Sequence, residues 1–247
     1  GYGSVTIDTN GYLFHDILEK VTPEDVDYFS FSLDGATAAT NDRIRGAGCY
    51  AACTRGIRQA VGKGFSVSVI YTVSRENLHE LADMGPVLKE LGISRFFIQV
   101  IGIRGRSAAS GTGALQLTRQ EWEKHVPPIA QQIARSGITV TYPRVFLGPG
   151  EDFECAGRVA ENYFLFPNGR VYQCPLCEDY PFHSMYLENG RIRHTAKINE
   201  ADLFALDIPE GCVMNKLVQA GNIDYDERGK PRCKIACCLL KEEIPAS

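Results

Sequence analysis

At 247 residues, with 44% hydrophobic and 23% charged side chains, the chain has the composition of a soluble globular protein with room for one large domain and a smaller appendage. A net charge of −4, from 26 basic and 30 acidic residues, excludes the electrostatic footprint of a nucleic-acid or anionic-membrane binder. No apolar run approaches the roughly 20 residues of a membrane helix, and no basic start followed by an apolar stretch marks a secretory signal.

In chain order, Ser4 to Thr9 reads as a short strand closed by the turn Thr9-Asn10-Gly11, followed by a helix over Phe14 to Val21. Because Gly1-Tyr2-Gly3 is not a natural start, the chain reads as beginning inside a domain. Tyr28 to Leu33 is a second strand stopped by Asp34-Gly35, and Tyr50 to Val61 has helical apolar spacing up to Gly62-Lys63-Gly64. Phe65 to Val73 is a β-branched strand, Asn77 to Leu91 a helix kinked or divided at Pro86, and Arg95 to Ile103 a fourth strand. Strands alternating with helices predict a parallel sheet whose ligands gather beyond the strands' C-terminal ends. Those ends carry Asn10, Ser32, Asp34, Thr72 to Asn77 and the Gly102 to Arg106 loop.

Ser107 to Gly113 is small and polar and reads as a linker. Thr118 with Glu121 forms a capping-box pattern opening a helix toward Gly137, interrupted at Pro127-Pro128, and Ile138 to Tyr142 is a strand. Asn162 to Phe166 and Arg170 to Gln173 flank the hairpin turn Pro167-Asn168-Gly169. The predicted division is therefore 1–106 as a strand–helix core, 107–150 as a linker with a helix and a strand, and 151–247 as a cysteine-rich domain.

Seven of the nine cysteines lie in that last part: Cys155, Cys174, Cys177, Cys212, Cys233, Cys237 and Cys238. An odd total with an adjacent pair suits a disulfide framework poorly and points to a reducing cytoplasm. Thiolates serve iron–sulfur clusters and zinc alike. Structural zinc sites show two tight Cys-x2-Cys pairs, whereas only Cys174 and Cys177 stand so here, and the spread favours a cluster. Cys49 and Cys53, at i and i+4 on a predicted helix, read as core residues before metal ligands. The five histidines share no spacing, no Ser/His/Asp arrangement stands out, and the glycines of 102–106 are too few for a phosphate loop.

Phe31-Ser32-Leu33-Asp34-Gly35, Asn41 to Gly46, Thr72-Val73 with Asn77, and Phe166 to Pro175 within Cys155-x13-Gly169-x4-Cys174 together resemble a radical S-adenosylmethionine (SAM) enzyme with a C-terminal SPASM or Twitch auxiliary iron–sulfur domain. The resemblance implies an α/β fold, a partial (β/α) barrel truncated at its N-terminus, with a small cysteine-rich SPASM/Twitch-like domain behind it. It implies cleavage of SAM to a 5′-deoxyadenosyl radical and hydrogen abstraction from a peptide or small-molecule substrate, with an electron-donor protein as partner. SAM and a [4Fe–4S] cluster are the cofactors so implied. Ser32 and Arg45 become candidates for the SAM carboxylate, Asn77 for polar contacts to the cofactor, and the backbone near Ile101-Gly102 for adenine. Cys155, Cys174 and Cys237 become cluster ligands with Cys212 or Cys233 as the fourth, while Cys177 or Cys238 can substitute.

Two departures temper the resemblance. The chain has no Cys-x3-Cys-x2-Cys triplet, the motif that holds the family's catalytic cluster, so these residues by themselves are not expected to cleave SAM. Full SPASM domains carry two clusters, but Asn215 stands three residues after Cys212 where such a domain has a cysteine, which leaves one site. Pro175 after Cys174 also counts against a sulfatase-maturing activity, whose members place an acid there. A non-catalytic iron–sulfur or zinc scaffold is the alternative reading.

Overall fold

The computed structural model describes residues 3–14, 16–102, 115–148 and 150–247. The sequence readings on His15, on the loop beyond Gly102 and on the linker 107–113 lie outside them. Two compact units emerge, one ending at Pro143 and rejoined by Lys241–Ser247, the other running Arg144–Leu240.

The first unit follows the strand–helix alternation of the sequence. Its elements are β1 (Thr6–Thr9), β2 (Tyr28–Ser32), α1 (Ala38–Arg45), α2 (Cys49–Gly62), β3 (Val67–Val73), α3 (Met84–Glu90), β4 (Arg95–Val100), α4 (Arg119–Ala134) and β5 (Thr139–Pro143). In the second unit come β6 (Phe146–Leu147), α5 (Ala156–Val159), β7 (Phe164–Leu165), β8 (Arg170–Tyr172), β9 (Met185–Glu188), β10 (Arg191–His194), α6 (Glu200–Phe204), α7 (Val213–Val218) and β11 (Lys234–Ile235). β12 (Lys241–Ile244) returns to the first.

Strands β1 to β5 lie in chain order and pair in parallel, and β12 closes the edge antiparallel to β5. Central parallel strands are covered on both faces, which is why β2 and β3 are buried almost throughout rather than alternately. Phe29, Phe31, Val69, Tyr71 and Phe96 are wholly buried, and Phe14 meets Phe29 and Phe31 edge-on with ring centroids 5.1 and 4.7 Å apart. Gly56 of α2 permits that packing, since a Cβ there would stand 3.0 Å from both the Phe14 and Phe31 rings.

Several sequence expectations need correction. Among the described residues of the helix expected over Phe14 to Val21, a single 3-10 turn forms, Ile17–Glu19, with Leu18 buried in it. The helix expected from Asn77 begins at Met84, because Asn77 spends its side chain on the preceding turn; Pro86 then sits in the first turn, where its missing N–H costs little. α4 runs through Pro127-Pro128 unbroken, since Trp122, Val126, Ala130 and Ile133 anchor a continuous buried face. The segment 107–150 is not a linker over its described part: α4 packs on the sheet and β5 pairs with β4. The cysteine-rich part likewise ends before β12, because Lys241–Ile244 pairs with β5.

The second unit is built from short pieces, a four-stranded antiparallel sheet in the order β10-β9-β8-β7 and a two-stranded pair, β11-β6. Gly169, at φ +80°, makes the β7–β8 turn predicted at Pro167-Asn168-Gly169. No described helix is long and apolar enough to cross a membrane.

Candidate functional site

Five cysteines from four stretches of the second unit line one narrow pocket: Cys155, Cys174, Cys212, Cys237 and Cys238. Its other described walls are largely apolar, with Phe153, Leu176, Phe204 and Met214 among them and Gln173 beside them, and no carboxylate or imidazole lines it among the described residues. Gly157 admits the Phe204 ring, which would lie 2.5 Å from a Cβ at that position.

Local structure aims the thiols. Cys155 precedes α5, Cys212 precedes α7, and Cys174 precedes a 3-10 turn over Pro175–Cys177. Each therefore stands where the first N–H groups of a helical turn lack partners and favour an anionic sulfur. Asn215 N–H donates to Cys212 Sγ at 3.4 Å. The Cys177 thiol donates to Cys174, which lowers the Cys174 pKa with help from the Leu176 N–H, while Cys177 itself is driven up. Cys238 does the same for Cys237, and together with the Leu239, Ala156 and Leu240 N–H groups brings it to about 6. Burial raises Cys155, and pushes Cys212 to about 12. Cys174 and Cys237 are thus shifted toward the thiolate form that binds metal, and Cys155 and Cys212 away from it.

Cys233 goes elsewhere. It is buried, with its sulfur 4.0 Å from the Asn222 carbonyl oxygen, and does not line the pocket. Asn215 donates its amide to the Ala236 carbonyl at 2.6 Å, tying α7 to the segment before Cys237.

Among the described residues no group of three or more Cys, His, Asp or Glu side chains is set to hold a single ion. A lone zinc draws its sulfurs to about 2.3 Å from one point, whereas a cluster spreads its thiolates around a larger body. Five thiols from four stretches around one pocket supply a soft donor set of the kind both groups use. Their number is enough for a group held by four thiolates.

In the first unit, the C-terminal ends of β2 and β3 bring together Asp34, Arg45 and Asn77, with half-buried Ser32 at the end of β2. Asp34 is buried, accepts from Thr72 N–H at 2.7 Å and pairs with Arg45 at 2.8 Å. Burial pushes its carboxyl above the usual range despite the guanidinium. Arg45 Nε is buried without a partner, so this residue retains an unmet donor suited to a ligand's carboxylate.

Asn77 has a different part. Its Oδ1 accepts from Ser74 N–H and Oγ, and its Nδ2 donates to the carbonyls of Asp34 and Thr72, both at 3.0 Å. Those bonds use its full amide capacity, so it ties strand ends together rather than offering atoms to a ligand. Cys53 donates to the Ser32 carbonyl at 3.5 Å and Cys49 to the Arg45 carbonyl at 3.3 Å. Burial drives the Cys53 pKa to about 12, in keeping with a core residue.

Two buried glutamates escaped the sequence reading. Glu80 accepts from Ala36 and Thr37 N–H and from the Thr37 and Thr40 hydroxyls. Glu200, wholly buried, does the same in the second unit for Gln173, Cys174 and Ser184. The one signal for Glu200 was its place after Asn199, which caps α6 with Asp202.

No family model matches the sequence. The mycofactocin maturase of Mycobacterium ulcerans is 28% identical over 201 residues, covering 74% of this chain and 50% of that protein. An AdoMet-dependent heme synthase of Methanosarcina barkeri is 33% identical over 108 residues, 43% of this chain and 31% of that one. The crystal structure of Streptococcus suis SuiB bound to S-adenosylmethionine superimposes with a TM-score of 0.54 over 86% of this chain and 47% of that one, at 10% identity, a likeness of fold alone. The chain spans about half the length of its maturase relative. These relatives are radical SAM enzymes, and the chain resembles them in sequence and in fold.

Proposed function

We propose that this chain forms part of a radical SAM maturase, supplying one side of a SAM site and an auxiliary [4Fe–4S] centre. The observation that carries the second element is the convergence of cysteines from four stretches on one apolar pocket. Cys155, Cys174, Cys212 and Cys237 would hold the cluster. Cys177 and Cys238 serve as thiol donors to the Cys174 and Cys237 sulfurs. A bound cluster of this kind supplies one-electron chemistry. The apolar walls keep water from its sulfurs, and the helix-start N–H groups offset its negative charge.

At the strand ends, Arg45 offers Nε to the SAM carboxylate while Asp34 holds the guanidinium in place. Ser32 stands beside it at the end of β2, and Asn77 fixes the loops that carry both. In the whole protein this site would direct SAM cleavage and hydrogen abstraction. A peptide is the favoured substrate class: one relative is a maturase, and SuiB has been solved bound to its precursor peptide SuiA. Substrate oxidation by this route would need an electron-donor protein.

Anaerobic reconstitution tests the proposal. The chain should take up about four irons with a broad absorbance near 400 nm, and Cys174→Ala or Cys237→Ala should abolish that uptake. Stoichiometric zinc in strictly anaerobic material would refute the cluster. These 247 residues alone should release no 5′-deoxyadenosine from SAM, since they lack the cysteine triplet. For the SAM site, Arg45→Ala in the longer protein should weaken SAM binding by tenfold to a hundredfold, about 1.5–3 kcal/mol for a charge-assisted bond, without altering iron content. Unchanged affinity on calorimetric titration would remove Arg45 from the site.

A further inference from the structure

Glu200 is the first residue of α6, and its carboxylate is wholly buried beside the cysteine pocket. Its Oε1 accepts from Gln173 N–H at 2.8 Å, Ser184 N–H at 3.3 Å and Ser184 Oγ at 2.7 Å, and its Oε2 accepts from Cys174 N–H at 3.1 Å. The Cys177 thiol is a further donor to this carboxyl group, and the His183 ring lies within its electrostatic reach. Glu200 N–H is itself anchored on the Phe182 carbonyl at 2.8 Å. One carboxylate thus joins the end of β8, the start of β9 and the start of α6, and the joint lies on the backbone of Cys174.

Isolated carboxylates are costly to bury, and a fold held only by packing would place an apolar side chain here. Its donors offset the cost of this one, which is held on the backbone of a proposed cluster ligand. We propose that Glu200 is a positioning residue for the auxiliary cluster: it fixes the Cys174 sulfur through the Cys174 N–H and, as a carboxyl group set beside that ligand, holds the cluster's reduction potential down. The inference rests on the reading of Cys174 as a ligand. Partners at one remove from a metal commonly change its affinity by roughly 10–100-fold, and a nearby negative charge favours the oxidised, less negative cluster.

The experiment uses the anaerobically reconstituted chain and two readouts, iron release to a chelator and a potentiometric titration followed by electron paramagnetic resonance. Glu200→Gln keeps the shape but removes the charge and sets an amide N–H against the Cys174 N–H. It should release iron roughly 10–100-fold faster and shift the potential positive. Glu200→Asp keeps the charge but falls short of its donors, so iron should leave faster while the potential stays at the parent value. Glu80→Gln, which disturbs the matching tie in the first unit, should leave both readouts unchanged.

A Glu200→Gln chain with the parent's potential and release rate overturns the inference. Should that variant not fold, Glu200→Asp decides: faster release supports the role, and parent-like release overturns it. A parent chain that takes up no iron would instead strike down the reading of the pocket itself. A loaded parent with indifferent Glu200 variants strikes down this inference alone.

Discussion

The first unit leaves Phe29, Phe31, Leu33, Val69 and Phe96 without exposure, whereas the second has strands of two to four residues and a core cluster made of Tyr172, Cys177, Cys212 and Met214. Each large side chain fully buried contributes about 1.5–3 kcal/mol, so the first unit has ample means to stand by packing. In the second, two of the four clustered residues are cysteines, and the pieces around them are joined by polar ties such as Glu200 and Asn215. Small, cysteine-rich folds of this sort commonly draw part of their stability from a bound metal. The comparison teaches that one unit is a scaffold by its packing, while the other, with few apolar residues to hold its short pieces, is the one a bound cluster of the proposed kind would complete.

The largest effect should come from removing that cluster. Chelation of the loaded chain should expose Arg144–Leu240 to protease and to amide exchange while β1 to β5 stay protected. Hydrogen exchange read by mass spectrometry would follow the two units separately. Simultaneous loss of protection in both, or in neither, would break the contrast between packing and ligand as sources of stability.

A smaller effect sharpens the same contrast through pH. Burial would raise Glu80, but donors on Thr40, Thr37 and Ala36 together win and leave its pKa lowered. A lowered folded-state pKa gives stability that is present above the unfolded value, about 4.3, and is lost as pH falls through the folded one. Asp34 is raised, chiefly by burial, so its contribution has the opposite sign: it is present below the unfolded value of about 3.9 and lost as pH rises through the folded one. Glu80→Gln should therefore flatten the acid limb of the first unit's stability curve and cost about 1.5–3 kcal/mol at neutral pH, as hydrogen bonds to a charged group do. Urea midpoints between pH 3 and 7 would measure it. An acid limb identical to the parent's would show that Glu80 carries no such linkage.

How far the sequence could be read differs between the units for the same reason. β2, β3 and β4 were legible because their apolar, β-branched runs are the packing, and capping residues such as Thr118 act within a few residues of where they stand. Thr118 and Glu121 announced α4, yet Pro127-Pro128 misled, because a buried stripe outweighed two missing N–H donors. β12 could not be placed from local pattern, since its partner β5 lies about a hundred residues away. At the strand ends, Arg45 was found by type and position, but Asn77 was read as a cofactor contact when its amide is spent on Asp34, Thr72 and Ser74. Glu80 and Glu200 stayed hidden, as their bonds reach from 16 to 44 residues away and no local pattern marks a carboxylate as buried.

The least effect should come from the cysteine that the pocket leaves out. The family resemblance left Cys212 and Cys233 as alternatives for the fourth ligand. Their surroundings differ: Cys212 stands at the start of α7 with an N–H on its sulfur and lines the pocket, while the Cys233 sulfur faces the Asn222 carbonyl. Cys212→Ala should therefore lose the cluster, and Cys233→Ala should keep the parent's iron content. The cost of Cys233→Ala should be only that of a small buried apolar group, about 1 kcal/mol. Iron analysis with urea denaturation of the two variants side by side would decide. If Cys233→Ala loses iron as Cys212→Ala does, the second unit must rearrange on binding its cluster, and its cysteine geometry is then as ligand-dependent as its stability.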